Sequence, residues 1–289
     1  MAPAAAAVWT DVATGVRVRQ SRAFMMNSAV LADREHTIVI DPGVLPSELD
    51  DIAASVTTLA PQRVTVFVTH GHWDHVLGPA WFPNAEILAH DRVAAEVKAE
   101  QARVLAEATK TATEHGESWT RGFTPFRTGY AVSGLHYTRR GPWHLVFRDA
   151  PGHSDSQLTL HVPDRKLLFA ADMLSDVEIP MLDRPPDVYR GTLEGLRPLA
   201  DNGAIETLVP GHGSIARGAG ACLRRLREDL AYLDQLEQRT ADCVRARRSL
   251  DDTLAELDGM EYRGKHDGPF PMRDVHRENV RIAWTAARG

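Results

Sequence analysis

Six consecutive residues, HGHWDH at 70–75, place three imidazoles and a carboxylate on one short segment. Neutral imidazole is a good ligand for zinc and similar ions, and a carboxylate can hold one ion or bridge two. Crowded together without a cation, such groups would suffer desolvation and mutual repulsion. His70 and His72, with Gly71 letting the chain turn between them, can aim at one ion, while Asp74 and His75 face a neighbouring position. Three later residues share this character: His153 in APGHSDS, Asp172 at the end of KLLFAAD, and His212 in LVPGHG. His153 would complete a three-histidine set for the first ion. His212 would join Asp74 and His75 on the second, with Asp172 between the two. Ions so held would stand roughly 3.5–4 Å apart, the separation at which one hydroxide can be shared.

These residues need strands to deliver them. RVTVFVT (63–69) is short and β-branched, a buried strand that ends at His70. WHLVFRD (143–149) precedes His153, KLLFAAD (166–172) carries Asp172, and a strand over 206–209 leads to His212. Four strands thus each present a ligand-type residue at the C-terminal end, the usual edge for a site in layered sheets with helices. Around them the pattern predicts strands at 15–20, 25–32, 37–41, 85–90, 134–138 and 157–162. It predicts helices at 46–59, from an Asp91 N-cap to His115 closed by Gly116, at 187–200, and from Ala219 to about Arg247. On the last of these, Leu223, Leu226, Leu230, Leu233 and Leu236 have the spacing of a core-facing stripe, and HRENVRIAW (276–284) reads as a final helix docking back on the core.

The totals set bounds. A chain of 289 residues, 43% hydrophobic and 25% charged, suits one large α/β domain with a sizeable core. A net charge of −6 offers no footprint for nucleic acid, and the cluster Arg224, Arg225, Arg227, Glu228 and Asp229 reads as a solvated helix face. No apolar run approaches the ~20 residues of a membrane span. MAPAAAAVW lacks the charge and apolar length of a signal peptide. Cys222 and Cys243 lie on one expected helix, roughly 30 Å apart at about 1.5 Å per residue, too far to bridge. A cytoplasmic setting is therefore expected. His36, His90, His115, His136, His144, His161, His266 and His276 are expected in structural or solvent roles.

HGHWDH, followed in order by His153, Asp172 and His212, resembles the HxHxDH signature of the metallo-β-lactamase-fold hydrolases, over residues 37–213. The resemblance implies an αββα four-layer sandwich with a dinuclear site at the sheet edge and the ligand set given above. It also implies that Asp41, in IDPG, supports the metal loop by hydrogen bonding, although an aspartate before Pro-Gly is a good turn residue in its own right. An aspartate at 172, where family β-lactamases generally carry cysteine or serine, is closer to the glyoxalase II, lactonase and esterase branch.

The expected function is hydrolysis of an ester, thioester or lactone carbonyl by a hydroxide shared between two zinc ions, with Asp74 orienting it and moving its proton. Iron or manganese are alternatives to zinc. Alternative activities are β-lactam hydrolysis and mononuclear iron dioxygenation of a sulfur substrate, and a binding module with a degenerate site is a third, weaker option. The expected partner is a small-molecule substrate, with neither nucleic acid nor membrane, and a homodimer is allowed. Seventy-seven residues separate His75 from His153. They suggest a cap over about 91–145, with Trp119, Phe123, Phe126 and Tyr130 as pocket or dimer contacts or as ordinary packing onto the sandwich. Residues 219–289 read as a helical extension. Met173, Leu174, Ile179 and Met181 suggest an apolar wall, and Trp73 either shields the site or braces the loop.

Overall fold

The computed structural model describes residues 9–260 and 272–288, so the expectation for His266 lies outside the described residues. Its mixed α/β architecture holds two sheets with helices. The chain divides into two compact units, the first comprising Met1–Arg148 and Leu158–Arg165, the second Asp149–Gln157 and Lys166–Gly289.

The first unit begins with β1 (Trp9–Ala13), β2 (Val16–Gln20), β3 (Asn27–Leu31) and β4 (His36–Ile40). Then come α1 (Pro46–Leu59), β5 (Arg63–Phe67), β6 (Glu86–His90), α2 (Val93–Ala99), α3 (Gln101–Glu114) and β7 (Tyr130–Val132). The unit closes with β8 (Leu135–Arg140), β9 (Trp143–Asp149) and β10 (Leu158–Val162), its share of the second sheet. β1 to β7 form a seven-stranded sheet in chain order, antiparallel as far as β4 and parallel from β4 to β7.

Strands buried on both faces read as continuous apolar runs, and every residue of β3 and β4 is buried. α1 starts where Pro46 supplies a preset φ, and it turns Leu49, Ile52 and Val56 into the core. It stops at Ala60, whose left-handed φ of 50° lets its N–H reach the Val56 and Thr57 carbonyls. The helix covers Val39, Val66 and Val68, with Val93, Val97, Val104 and Ala108 of α2 and α3 in the same core. On the other side of β5, Phe67 meets Phe147 of β9 edge-on at 5.0 Å. Because β4 and β5 are parallel neighbours, their C-terminal ends fall together, and the Asp41 N–H donates to the Phe67 carbonyl at 2.9 Å.

One helix expected from Asp91 to His115 is two. The helix breaks at Glu100 (φ −95°, ψ 10°), and α2 has Arg92 rather than Asp91 at its N-cap. Asp91 instead lies 2.9 Å from Nδ1 of His90. No glycine or proline marks the break, so periodicity alone runs straight through it. The 91–145 stretch contributes α2 and α3 to the core, β7 to the large sheet, and β8 with the first three residues of β9 to the second. β1 and β7, short strands at the two edges of the large sheet, were not anticipated.

The second unit holds β11 (Leu167–Phe169), α4 (Pro186–Asp201), β12 (Thr207–Val209), β13 (Ala216–Arg217), α5 (Ala219–Arg245), α6 (Leu250–Leu257) and α7 (Met272–Ala286). β11 is parallel to β12, and β12 antiparallel to β13. Its core packs Leu168 and Leu208 against Tyr189, Leu193 and Leu196 of α4 and Leu226, Leu233 and Leu236 of α5. Cys222, rather than the half-buried Leu223, begins the buried stripe of α5. Cys222 and Cys243 are free and buried.

Arg225 and Asp229 correct the expectation of a solvated face. They are 8% and 1% exposed, because their positions fall on the stripe of Cys222, Leu226 and Leu233. Burial of charge requires partners. Arg225 donates to the Leu174 and Ser214 carbonyls at 3.2 and 3.1 Å and pairs with Asp176, while Asp229 accepts from the Leu174 N–H at 2.9 Å.

Candidate metal centre

In the first unit the chain leaves β5 through Val68 and Thr69 and turns sharply at His70. Leu158 at the start of β10 donates to the Thr69 carbonyl at 2.9 Å, holding the turn. Gly71 lets the Glu96 carboxylate of α2 come close, since a Cβ there would stand 2.4 Å from it. The rings of His70 and His72 lie 4.6 Å apart, and those of His70 and His75 4.1 Å. His70 and His75 are fully buried and Asp74 nearly so, while His72 is half-exposed. Trp73 packs edge-on to Phe24 at 5.9 Å and lies against the core.

Asp41 organises this loop. Its Oδ1 accepts from the Thr69 N–H at 2.8 Å, and its Oδ2 accepts from the Thr69 hydroxyl at 2.6 Å and faces Nδ1 of His75 at 2.8 Å. A carboxylate only accepts, so Nδ1 of His75 carries its proton and Nε2 keeps a lone pair. The Thr69 hydroxyl has already donated its hydrogen, so it accepts from Nδ1 of His70 at 3.0 Å. Nε2 of His70 is likewise left as a donor to a cation. The backbone of Asp41 is held in turn by Ser28, whose hydroxyl donates to the Asp41 carbonyl at 2.8 Å.

The second unit repeats the logic. Nδ1 of His153 faces the Met181 carbonyl at 3.3 Å, an acceptor, so the proton sits on Nδ1. Nε2 of His153 then points its lone pair at Oδ2 of Asp172, 3.3 Å away, and Nε2 of His212 approaches the same oxygen at 3.5 Å. The His153 lone pair and a carboxylate oxygen repel unless a cation lies between them. Asp172 is set by Gln157, whose Oε1 accepts its N–H at 3.2 Å. Gly211 makes room for it: a Cβ there would stand 2.0 Å from Oδ1 of Asp172. The donor chemistry of both units fits a metal, and the chain carries His/Asp groups able to hold metal ions.

A family model described as the metallo-beta-lactamase superfamily matches residues 22–212, from before β3 to His212. The chain belongs to the metallo-beta-lactamase superfamily. Among curated relatives, the acyl-coenzyme A thioesterase MBLAC2 of Gallus gallus is 27% identical over 194 residues, 62% of this chain and 69% of that protein. MBLAC2 of Homo sapiens is 38% identical over 76 residues. That match covers a quarter of this chain and 26% of the relative. A metallo-beta-lactamase family protein from Thermus thermophilus has a TM-score of 0.64 at 19% identity, covering 96% of this chain and 94% of that one. The sec-alkylsulfatase Pisa1 from Pseudomonas sp. has a TM-score of 0.71 at 14% identity, covering 97% of this chain and 50% of that one. At these identities the structures establish the fold alone, and the αββα class expected from the sequence is that of the superfamily.

Several supports of the superfamily's metal loops escape a reading of ligand types. α7 lies beyond the matched span, yet its Asn279 accepts from the Leu182 N–H at 2.9 Å and donates to the Pro180 carbonyl at 2.6 Å. It thereby fixes the segment whose Met181 carbonyl orients His153. Arg225 and Asp229 of α5 do the same for residues 174–176 and 214. Of the expected apolar wall, Met173, Leu174 and Ile179 are buried in the second unit's core and Met181 is half-exposed. Phe123, Trp119 and Phe126 pack on the first unit's core, and Tyr130 opens β7 with its hydroxyl 2.9 Å from Nε2 of His136. His276 is buried between Tyr232 and the Leu257 carbonyl, a structural role. Among the described residues no helix is long and apolar enough to cross a membrane.

Two predictions arise from this geometry. Asp41→Asn removes one acceptor that fixes the His75 tautomer and should weaken metal affinity by roughly 10–100-fold in a chelator-competition titration. Asp176 is pulled two ways. Burial raises its pKa, but the Ser214 N–H and Arg225 outweigh that and hold its carboxyl below the usual 3.8. A depressed carboxylate stabilises the fold above its unfolded pKa and loses that contribution as pH falls through the folded value. The melting-temperature gap between wild type and Asp176→Asn should therefore be constant from neutral pH down to about 5 and shrink below about 4.

Proposed function

We propose that the chain is a dinuclear zinc hydrolase acting on an acyl thioester, with esters and lactones as the wider substrate class. His70, His72 and His153 would hold one ion and Asp74, His75 and His212 the second, with Asp172 shared. Candidate donors occur in both units, His70, His72, Asp74 and His75 in the first and His153, Asp172 and His212 in the second. The observation that carries the reading is that Nδ1 of His70, of His75 and of His153 each lies within hydrogen-bond distance of an oxygen, an arrangement that leaves Nε2 as the ligand atom. Preference for a thioester follows the MBLAC2 relatives, which are named acyl-coenzyme A thioesterases.

Bound metal supplies a water acidic enough to attack at neutral pH and a Lewis acid for the substrate's carbonyl oxygen. The remaining work belongs to the chain. Asp74 accepts the proton of the attacking water and returns it to the departing thiolate. Asp41, through Thr69 and His75, keeps the imidazoles from rotating or exchanging tautomers during turnover. Met181 and Gln157 do the same for His153 and Asp172.

A panel of acyl-coenzyme A thioesters, lactones, aryl esters, phosphodiesters, sulfate esters and β-lactams, run with the zinc-loaded chain, tests the assignment. Thioester hydrolysis that stops on chelation and returns with zinc is expected. Turnover confined to phosphodiesters, sulfate esters or β-lactams would overturn it.

A further inference from the structure

Within the first unit, the N-terminal ends of β4, β5 and β6 surround a cavity of about 850 Å³ together with the β8–β9 turn, the end of α1 and residues 81–86. That volume is in the range of small-molecule sites, about 300–1,000 Å³. Arg63, the first residue of β5, lines it, whereas the metal loop begins at His70 beyond the other end of the same strand. Seven residues of extended chain separate them by roughly 20 Å.

The lining combines two chemistries. Val56 and Ala53 of α1, with Phe82, make an apolar wall, and Tyr130 supplies an aromatic ring. The same lining carries three guanidiniums, Arg63, Arg139 and Arg140, against a single carboxylate, Glu86, in a chain whose net charge is −6. Arg140 is the one already engaged: it pairs with Glu86 at 3.2 Å and lies 4.5 Å over the Tyr130 ring. The Arg139 Nε donates to the Gly141 carbonyl at 2.8 Å, and the Arg63 guanidinium forms no hydrogen bond or ion pair among the described residues. The turn can come this close because residue 141 is glycine, with φ of +54°; a Cβ there would stand 2.9 Å from that of His36.

His36 reports the local field. It is buried, with Nε2 2.8 Å from the Thr65 hydroxyl. Burial first, then the charges of Arg140 and Arg63, push its pKa below the usual value, so it adds no charge of its own near neutrality. The surplus positive charge is thus carried by groups fixed in the protonated form at any working pH.

We propose that this cavity is a second ligand site, separate from the metal loop, for a small organic anion: an apolar or aromatic body with a carboxylate or phosphate group. The body lies between the Val56–Phe82 wall and Tyr130, and the anionic group meets Arg63 and Arg139. The fixed guanidiniums favour an anion over its neutral counterpart, and the apolar wall favours an organic anion over an inorganic one.

8-Anilinonaphthalene-1-sulfonate, titrated by fluorescence into the full-length chain, is the probe. Saturable binding is expected, displaced by 1-naphthoate or 1-naphthyl phosphate at concentrations about tenfold or more below those needed of neutral 1-naphthol. Whichever anion displaces better identifies the favoured head group. Two variants at exposed positions separate the site from general stickiness: Arg63→Glu with Arg139→Glu removes the charge, and Thr57→Trp fills the mouth from α1. Each should weaken the probe about tenfold with its melting curve retained, and His72→Ala should leave affinity within about twofold. Absence of saturable binding, unchanged affinity in both folded variants, equal displacement by 1-naphthol, or loss of binding in His72→Ala would each overturn the proposal.

Discussion

Asp74→Asn should lower turnover by roughly 10²–10⁴-fold, the range a positioned acid–base group supplies. The substitution is nearly isosteric, so the buried pocket at residue 74 stays filled and the loop keeps its course. What disappears is the ability to accept a proton from water, together with part of the negative charge that draws cations. Oδ2 of Asp74 stands 3.8 Å from Nε2 of His75, so the carboxylate belongs to the same local set as a buried imidazole. The check is a steady-state comparison of wild type and variant at equal metal loading, with circular dichroism to show a retained fold. Activity within about threefold of wild type would remove Asp74 from the proton-transfer role.

Gly211→Ala is the second large effect, and it is not obvious from ligand identities. A methyl at 211 would stand 2.0 Å from Oδ1 of Asp172 and 3.1 Å from the Ala171 carbonyl carbon. The backbone of residue 211 is tied down, its N–H donating to the Ala171 carbonyl at 2.6 Å. The carboxylate is the part that can yield. Rotating it takes Oδ2 away from Nε2 of His153 and Nε2 of His212, where it now sits at 3.3 and 3.5 Å. A misplacement of about 1 Å at a reacting centre costs on the order of 100-fold in rate, and that loss is expected here. Metal content should fall alongside it, while the fold is retained. A Gly211→Ala chain with wild-type metal content and rate would show that the Asp172 position is not critical.

How far these features can be read from the sequence depends on how local they are. The 70–75 loop was legible because its donors are neighbours in the chain and follow an unmistakable buried strand. His153, Asp172 and His212 stand out in the sequence as candidates because each follows an apolar run, the sequence trace of a strand end. α1 was recovered with its full span, since Pro46 and the Leu49, Ile52 and Val56 spacing are strong local signals. What resisted is long-range. Arg225 and Asp229 look like any charged helix face until the packing of Leu226 and Leu233 shows which way α5 is turned. Asn279 carries no ligand chemistry, and its importance lies in reaching residues 180–182, almost a hundred positions earlier. The cavity at Arg63 is assembled from five separate stretches, none of which contains a motif.

Two metal ions held by this donor set are the centre of the proposed chemistry, and metal analysis of the purified chain tests them most directly. Elemental analysis combined with an oxygen electrode is expected to give close to two zinc per chain and no oxygen consumption with thiol or thioester substrates. One iron per chain, with oxygen taken up as a sulfur substrate is consumed, would contradict it.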